Sequence, residues 1–422
     1  MTPLFDPFEP SPAVTRTPGQ RVRAFNCQCG SPVFFRNSIC LACNTPLGYA
    51  PTLAKLVALT QADKPDTWLA SQSDGPLYRC CANLNTPASC NWLVPVDEVA
   101  DHEGLCRACR LNRVVPNLDD PLHPDNGELW GRIELAKRRL VSALLVMGLP
   151  VASRETEDTE RGLMFDFLRA PKGAPPVMTG HDDGLITLNV VEADDVQRER
   201  ARTNMNEPYR TLVGHLRHEV GHYYWDRLVV DSHWLEPCRE LFGDETKDYG
   251  DSLTAYYHDG PPPDWRGGFI SAYATSHPWE DWAECWAHYM HMSDMVDTAS
   301  SYGLSLDESR LEFSPFSREL LYERDHPGAD KYLTFVNHWA ELTVMMNGMA
   351  RAMGQPDIYP FVLAHKVIAK LHFIHLVVSE ERHREDTDPL PSPQKTLSLS
   401  QSQSQSQSQS QSQSMSKSKT KR

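Results

Sequence analysis

No run of about 20 apolar residues occurs in this 422-residue chain, which excludes the usual transmembrane helix. The opening "MTPLFDPFEPSPAVTRTPGQ" has neither a basic start nor an apolar stretch behind it. It does not read as a secretory signal, and the expected compartment is the cytoplasm. Positive charge is scarce: 41 Lys and Arg stand against 56 Asp and Glu, a formal net charge of −15. That balance disfavours broad binding to nucleic acid or anionic lipid, both of which need a basic face. Cysteine is nearly missing from most of the chain. Of 11 cysteines, only Cys238 and Cys285 lie outside the segment from Cys27 to Cys109. In a reducing compartment such a cluster reads as metal sites rather than disulfides.

What is present is enough to fold. Hydrophobic residues make up 40% and aromatics 9%, over a length that suits two or three domains. Residues 1–22, rich in Pro and Thr, read as a flexible lead, and 23–113 hold the cysteine cluster. Turn-rich residues 114–126, including "PNLDDPLHPDN", read as a linker. Residues 127–380 read as a mostly helical domain with a small sheet, so the fold class is α+β. From 381 to 422 the composition changes, and "SQSQSQSQSQSQSQS" carries no apolar residue and no reason to fold. A small basic end, "KSKTKR", closes the chain.

Trp130, Ile133, Leu140 and Leu144 recur at near-helical spacing, with Asp125 or Asn126 as N-cap. "LMFDFLRA" (163–170) and "GLITLNVVEAD" (184–194) read as strands, with "GHDDG" (180–184) as a tight turn before the second. A helix is expected from about Glu207 to Val230, and a largely helical stretch from 280 to about 380.

Cys27-x-Cys29 and Cys40-x-x-Cys43 are two knuckles ten residues apart. Together they bring four thiolates into the tetrahedron that structural zinc prefers. The second set is Cys80-Cys81, Cys90 and Cys106-x-x-Cys109, one thiol more than a four-ligand site needs. Cys81 is the preferred ligand because "CAN…CNWLVP" reads as one unit, which leaves Cys80 as the alternative. Four thiolates close a site, so these two zinc ions are expected to serve folding rather than catalysis.

The chain also contains "GHLRHEVGHYYW", with His218-Glu219-x-x-His222. On a helix, positions i and i+4 share a face, so His218 and His222 can hold one ion. Glu219 sits beside that ion, where it can take a proton from zinc-bound water and pass it to a leaving amine. A catalytic zinc needs a third protein ligand and an open position. "FISAYATSHPWEDWAECWAHYMH" (269–291) supplies candidates: Glu280, Glu284 and His288 form an i, i+4, i+8 stripe among tryptophans. On residues alone, Glu280 and His288 both remain open as third ligand. His215, one turn before the motif, reads as a core or supporting histidine; Tyr224, Trp225 and Cys285 read as core.

These stretches, together with "LCRACRLNR", "GLITLNVVEADDVQRERAR" and "YPFVLAHKVIAKLHFIH", resemble a bacterial family of zinc-binding metallopeptidases with an N-terminal zinc ribbon. The resemblance runs from about residue 23 to 380. Tyr273…Glu280-Asp-Trp-Ala-Glu284 is also similar to lethal-factor-type zincins. The resemblance implies a double zinc-ribbon module followed by a zincin-like domain. It implies Glu280 as third ligand, Tyr273 as stabiliser of the transition state, and Glu284 as the partner that orients a ligand histidine. It also implies a strand edge, at "GLITLNVV", along which extended substrate pairs. The expected cofactors are one catalytic and two structural zinc ions, and the expected partner is a peptide or protein substrate. A protein partner for the ribbons stays open. The alternative reading is a ribbon-based binding module on a zincin scaffold with little turnover.

Overall fold

The computed structural model describes residues 23–70, 76–205, 207–304, 311 and 315–387. The lead at 1–22 and most of the expected tail lie outside the described residues. Short strands come first: β1 (Phe25–Asn26) and β2 (Pro32–Val33) form a hairpin. β3 (Leu47–Ala50), β4 (Lys55–Gln61), β5 (Trp68–Ala70), β6 (Tyr78–Cys80) and β7 (Leu93–Pro95) form an antiparallel sheet in sequence order. This sheet buries only a small core of its own, Ala50, Leu59, Tyr78 and Leu93.

The rest is mainly helical, and the fold is α+β. α1 (Asn126–Met147) begins where expected, with Asp125 as N-cap residue, although its carboxylate accepts from Arg169 rather than from the helix. The second sheet runs β10 (Gly180–Asp182), β11 (Leu185–Asn189), β9 (Met164–Leu168), β8 (Asn112–Val114). β11, β9 and β8 are parallel neighbours, and β10 is antiparallel to β11. Two sequence expectations change here. The "GHDDG" stretch is strand as far as Asp182, and only Asp183 and Gly184, at positive φ, make the turn. The expected edge strand, β11, is flanked on both sides, so the sheet's edges are β10 and β8, and β10 is the one next to β11.

α2 (Asp195–Asn204), α3 (Leu212–Leu228), α4 (Leu235–Phe242), α5 (Tyr249–Asp259), α6 (Pro278–Ser301), α7 (Ala329–Ala352) and α8 (His365–Thr387) complete the order. α3 starts later than residue 207. Pro208 disfavours helix at 207, and the Thr211 side chain accepts from Gly214 N–H and fixes the start. α8 runs past residue 380 because Glu381 is still buried and Arg382 packs over Gly148. No helix among the described residues is long and apolar enough to cross a membrane.

α3 and α6 pack against each other at very close range. A Cβ on Gly221 would lie 3.0 Å from Ala283 Cα and 3.2 Å from Trp286 Cβ. A larger residue would push the facing helix back by a few tenths of an ångström, and the close approach brings together the helices that carry His218, His222 and Glu280. One continuous core joins the cysteine-rich part to the helices: Trp92, Trp130, Leu140, Phe165, Val220 and Trp286 all belong to it.

Candidate functional site

α3 presents His218, Glu219 and His222; α6 presents Glu280 and Glu284 one turn apart. All five are strongly screened from solvent. His218 Nδ1 lies 2.7 Å from Glu284 Oε1, whose other oxygen accepts from Ser271 Oγ at 2.6 Å. A proton on Nδ1 satisfies that contact and leaves Nε2 as a lone pair. Nε2 points at His222 Nε2 (3.2 Å) and Glu280 Oε2 (3.0 Å), and His222 Nε2 lies 3.6 Å from Glu280 Oε1.

Electron-rich atoms therefore converge in a buried place. Despite its short distance to His218, Glu280 Oε2 makes no hydrogen bond, and His222 Nδ1 is likewise buried without one. Burial opposes a charge on His218, but Glu280 and Glu284 outweigh it and raise its pKa well above the usual range. The site calls for a cation. An ion with bonds of about 2.0–2.1 Å holds tetrahedral ligands about 3.3 Å apart, which matches the observed spread. The residues fit zinc.

Tyr273 lies on a short 3-10 turn (Tyr273–Thr275), half-buried, with its ring 6.0 Å from that of His218. Burial and then Glu280 raise its pKa, so it stays a proton donor. His288 lies apart from the cluster: its Nδ1 is 2.6 Å from Tyr359 Oη, and burial pushes its pKa down to about 4. Glu280, not His288, groups with His218 and His222.

The cysteines form two further groups, Cys27, Cys29, Cys40, Cys43 and Cys81, Cys90, Cys106, Cys109. Sulfur separations are 3.6 Å for Cys27 and Cys43, 3.8 Å for Cys29 and Cys40, and 3.6 Å for Cys90 and Cys106. Zinc–sulfur bonds of about 2.3 Å place tetrahedral thiolates about 3.8 Å apart, so both groups fit zinc. Cys80, on β6, stands outside the second group.

Further residues complete the centre, some of them already visible in the sequence and some not. Tyr249, at the start of α5, donates to Glu280 Oε1 at 2.6 Å. The Trp279 ring lies 4.2 Å from that of His222, and His181 of β10 stacks on His222 at 6.2 Å and meets Trp279 edge-on at 6.0 Å. His215 is a bridge: Nδ1 lies 2.6 Å from Glu192 Oε2 and Nε2 lies 3.1 Å from Glu219 Oε1. No spacing rule links Tyr249 or Glu192 to the motif; the fold alone brings them together.

Residues 126–377, more than half of the chain, match a family described as "Putative zinc-binding metallo-peptidase", and residues 24–120 match a zinc-ribbon domain. The chain is 41% identical over 363 residues to an uncharacterised protein of Mycobacterium bovis, covering 85% of this chain and 96% of that protein. Uncharacterised proteins from two strains of Mycobacterium tuberculosis match to the same extent. No solved structure matches. With its zinc-ribbon segment ahead of the matched helical part, the chain belongs to this zinc-binding metallo-peptidase family.

Proposed function

We propose that the chain is a zinc-dependent peptidase, with His218, His222 and Glu280 holding the catalytic ion and Glu219 as general base. The observation that carries this reading is the buried convergence of His218 Nε2, His222 Nε2 and the Glu280 carboxylate. Zinc bound there acidifies water and polarises a carbonyl. Glu284 accepts from His218 Nδ1 and holds the imidazole in the tautomer that leaves Nε2 free. Glu219 takes the proton of the attacking water and delivers it to the leaving amine. Tyr273 donates its hydroxyl proton to the oxyanion that develops on the carbonyl. The free edge of β10, beside His222, offers backbone groups to an extended peptide. The two cysteine groups hold structural zinc.

A peptide-library digest, with and without chelator, tests this reading. Wild type is expected to cleave in a chelator-sensitive way. Glu219→Gln should keep its zinc and lose about 10²–10⁴-fold in rate. Cleavage by Glu219→Gln at the wild-type rate would sink the mechanism. A second reading, a recruiting scaffold, draws on Phe34 and Leu41, 61% and 87% exposed beside the first cysteine group. Its signature is the absence of cleavage across the library in the fully zinc-loaded chain.

A further inference from the structure

His215 and Glu192 are not needed to hold an ion, yet they are built into the site. His215 lies one helical turn before Glu219, so the two side chains are neighbours on α3. Its ring stands between two carboxylates, Glu192 at 2.6 Å and Glu219 at 3.1 Å. A neutral imidazole has one N–H and one lone pair. Between two carboxylates, that lone pair would face an oxygen lone pair. Both contacts are satisfied only when both ring nitrogens carry hydrogen.

Glu192 is itself fixed. It lies on a 3-10 turn (Val190–Ala193) that leaves the end of β11. Its Oε1 accepts from Thr179 Oγ at 2.5 Å, and its Oε2 lies 3.3 Å from Arg210 Nη2. Arg210 is held in turn by Glu207, at 3.1 Å. The second sheet thus reaches α3 through one rigid carboxylate.

We propose that Glu192 and His215 form a positioning unit for Glu219. An imidazolium that stays charged at neutral pH engages Glu219 Oε1 and leaves Oε2 to face the reacting water. The role in turnover rests on the peptidase reading; the charge on His215 does not. Burial opposes that charge, but Glu192 and Glu219 outweigh it and hold the His215 pKa at about 9. Against the same burial, His215 keeps Glu192 ionised, at about 2. The arrangement differs from His218 and Glu284, where one ring nitrogen must stay bare for an ion. His215 offers two donors and no acceptor, so it can orient a carboxylate but cannot bind metal.

The test uses the full chain with nitrogen-15-labelled histidine, its His215 signals assigned by their loss in His215→Gln. Wild type should show both His215 nitrogens protonated at neutral pH, with titration well above the ordinary histidine range. The isosteric Glu192→Gln should return that titration toward neutrality. With bound zinc unchanged, it should lower kcat about 10–100-fold and leave KM within about twofold. A singly protonated His215 in wild type would overturn the proposal. So would a Glu192→Gln variant with unaltered His215 titration and kcat, or one that loses zinc and raises KM together with the fall in kcat. If wild type shows no turnover at all, the peptidase reading fails, while the nitrogen signals still decide the state of His215.

Discussion

Cys81, Cys90, Cys106 and Cys109 are each 2% exposed or less, whereas Cys29 and Cys43 of the first group stand open to solvent. Sulfur spacing is nearly the same in both groups, so the difference lies in what surrounds them. Behind the buried group stands α1. Glu134 Oε2 lies 3.9 Å from Cys109 Sγ, its Oε1 pairs at 2.8 Å with Lys137, and the Glu134 and Lys137 side chains are fully buried. Lys137 Nζ also lies 5.3 Å from the Phe167 ring centroid, and Arg138 donates to Ala88 O across the same contact. The exposed group touches the helices mainly through Arg23, which pairs with Asp294 at 2.7 Å and donates to Ser142 Oγ. A four-thiolate site can therefore be a surface staple or a component of the core, and its motif does not say which.

The comparison breaks most readily at the buried site. Cys106→Ser is expected to abolish the cooperative thermal transition. Structural zinc contributes about 10–16 kcal/mol in small folds, comparable to the whole stability of a domain at about 5–15 kcal/mol. A normal transition by calorimetry would show that the buried ion is dispensable. Next comes Lys137→Met, which leaves Glu134 buried without its cation and should cost about 3–5 kcal/mol in denaturant unfolding. A loss below about 1 kcal/mol would mean that Asn112 alone satisfies Glu134.

Cys43→Ser sharpens the other side. It should release one zinc while the main midpoint moves by less than about 4 °C. A chelator series should follow the same order, with the exposed group and the His218 site emptied before the buried group. Early release of all ions would erase the distinction. The smallest effect is expected at Leu41→Ser, within about 0.5 kcal/mol, because that side chain is already in water.

The sequence pointed to the three side-chain groups that the structure brings together because each is local or helical in period. Two knuckles, an HExxH and an i, i+4 carboxylate pair are patterns of backbone geometry. It said little about depth: Cys29 and Cys90 look alike in a motif, and only their burial separates them. β10 was hidden because its alternation is three residues long and ends in a turn signal. Tyr249, Glu192 and Ser271 are polar residues whose partners lie on other elements, so no period could point to them. The choice between Glu280 and His288 needed tertiary contact for the same reason, since both lie on one stripe of α6.

Gly221 sits in the variable part of the HExxH motif, yet its missing side chain works as a gauge. The gap between α3 and α6 is tightest where a side chain on Gly221 would meet Ala283, one position past Trp282 and next to Glu284. His222 follows Gly221 directly, and Glu280 lies one turn ahead of Glu284. The width of that gap therefore sets the spacing of His218, His222 and Glu280. A methyl group there would act as a shim: it would leave each of these side chains in place along its own helix and widen only the space between them.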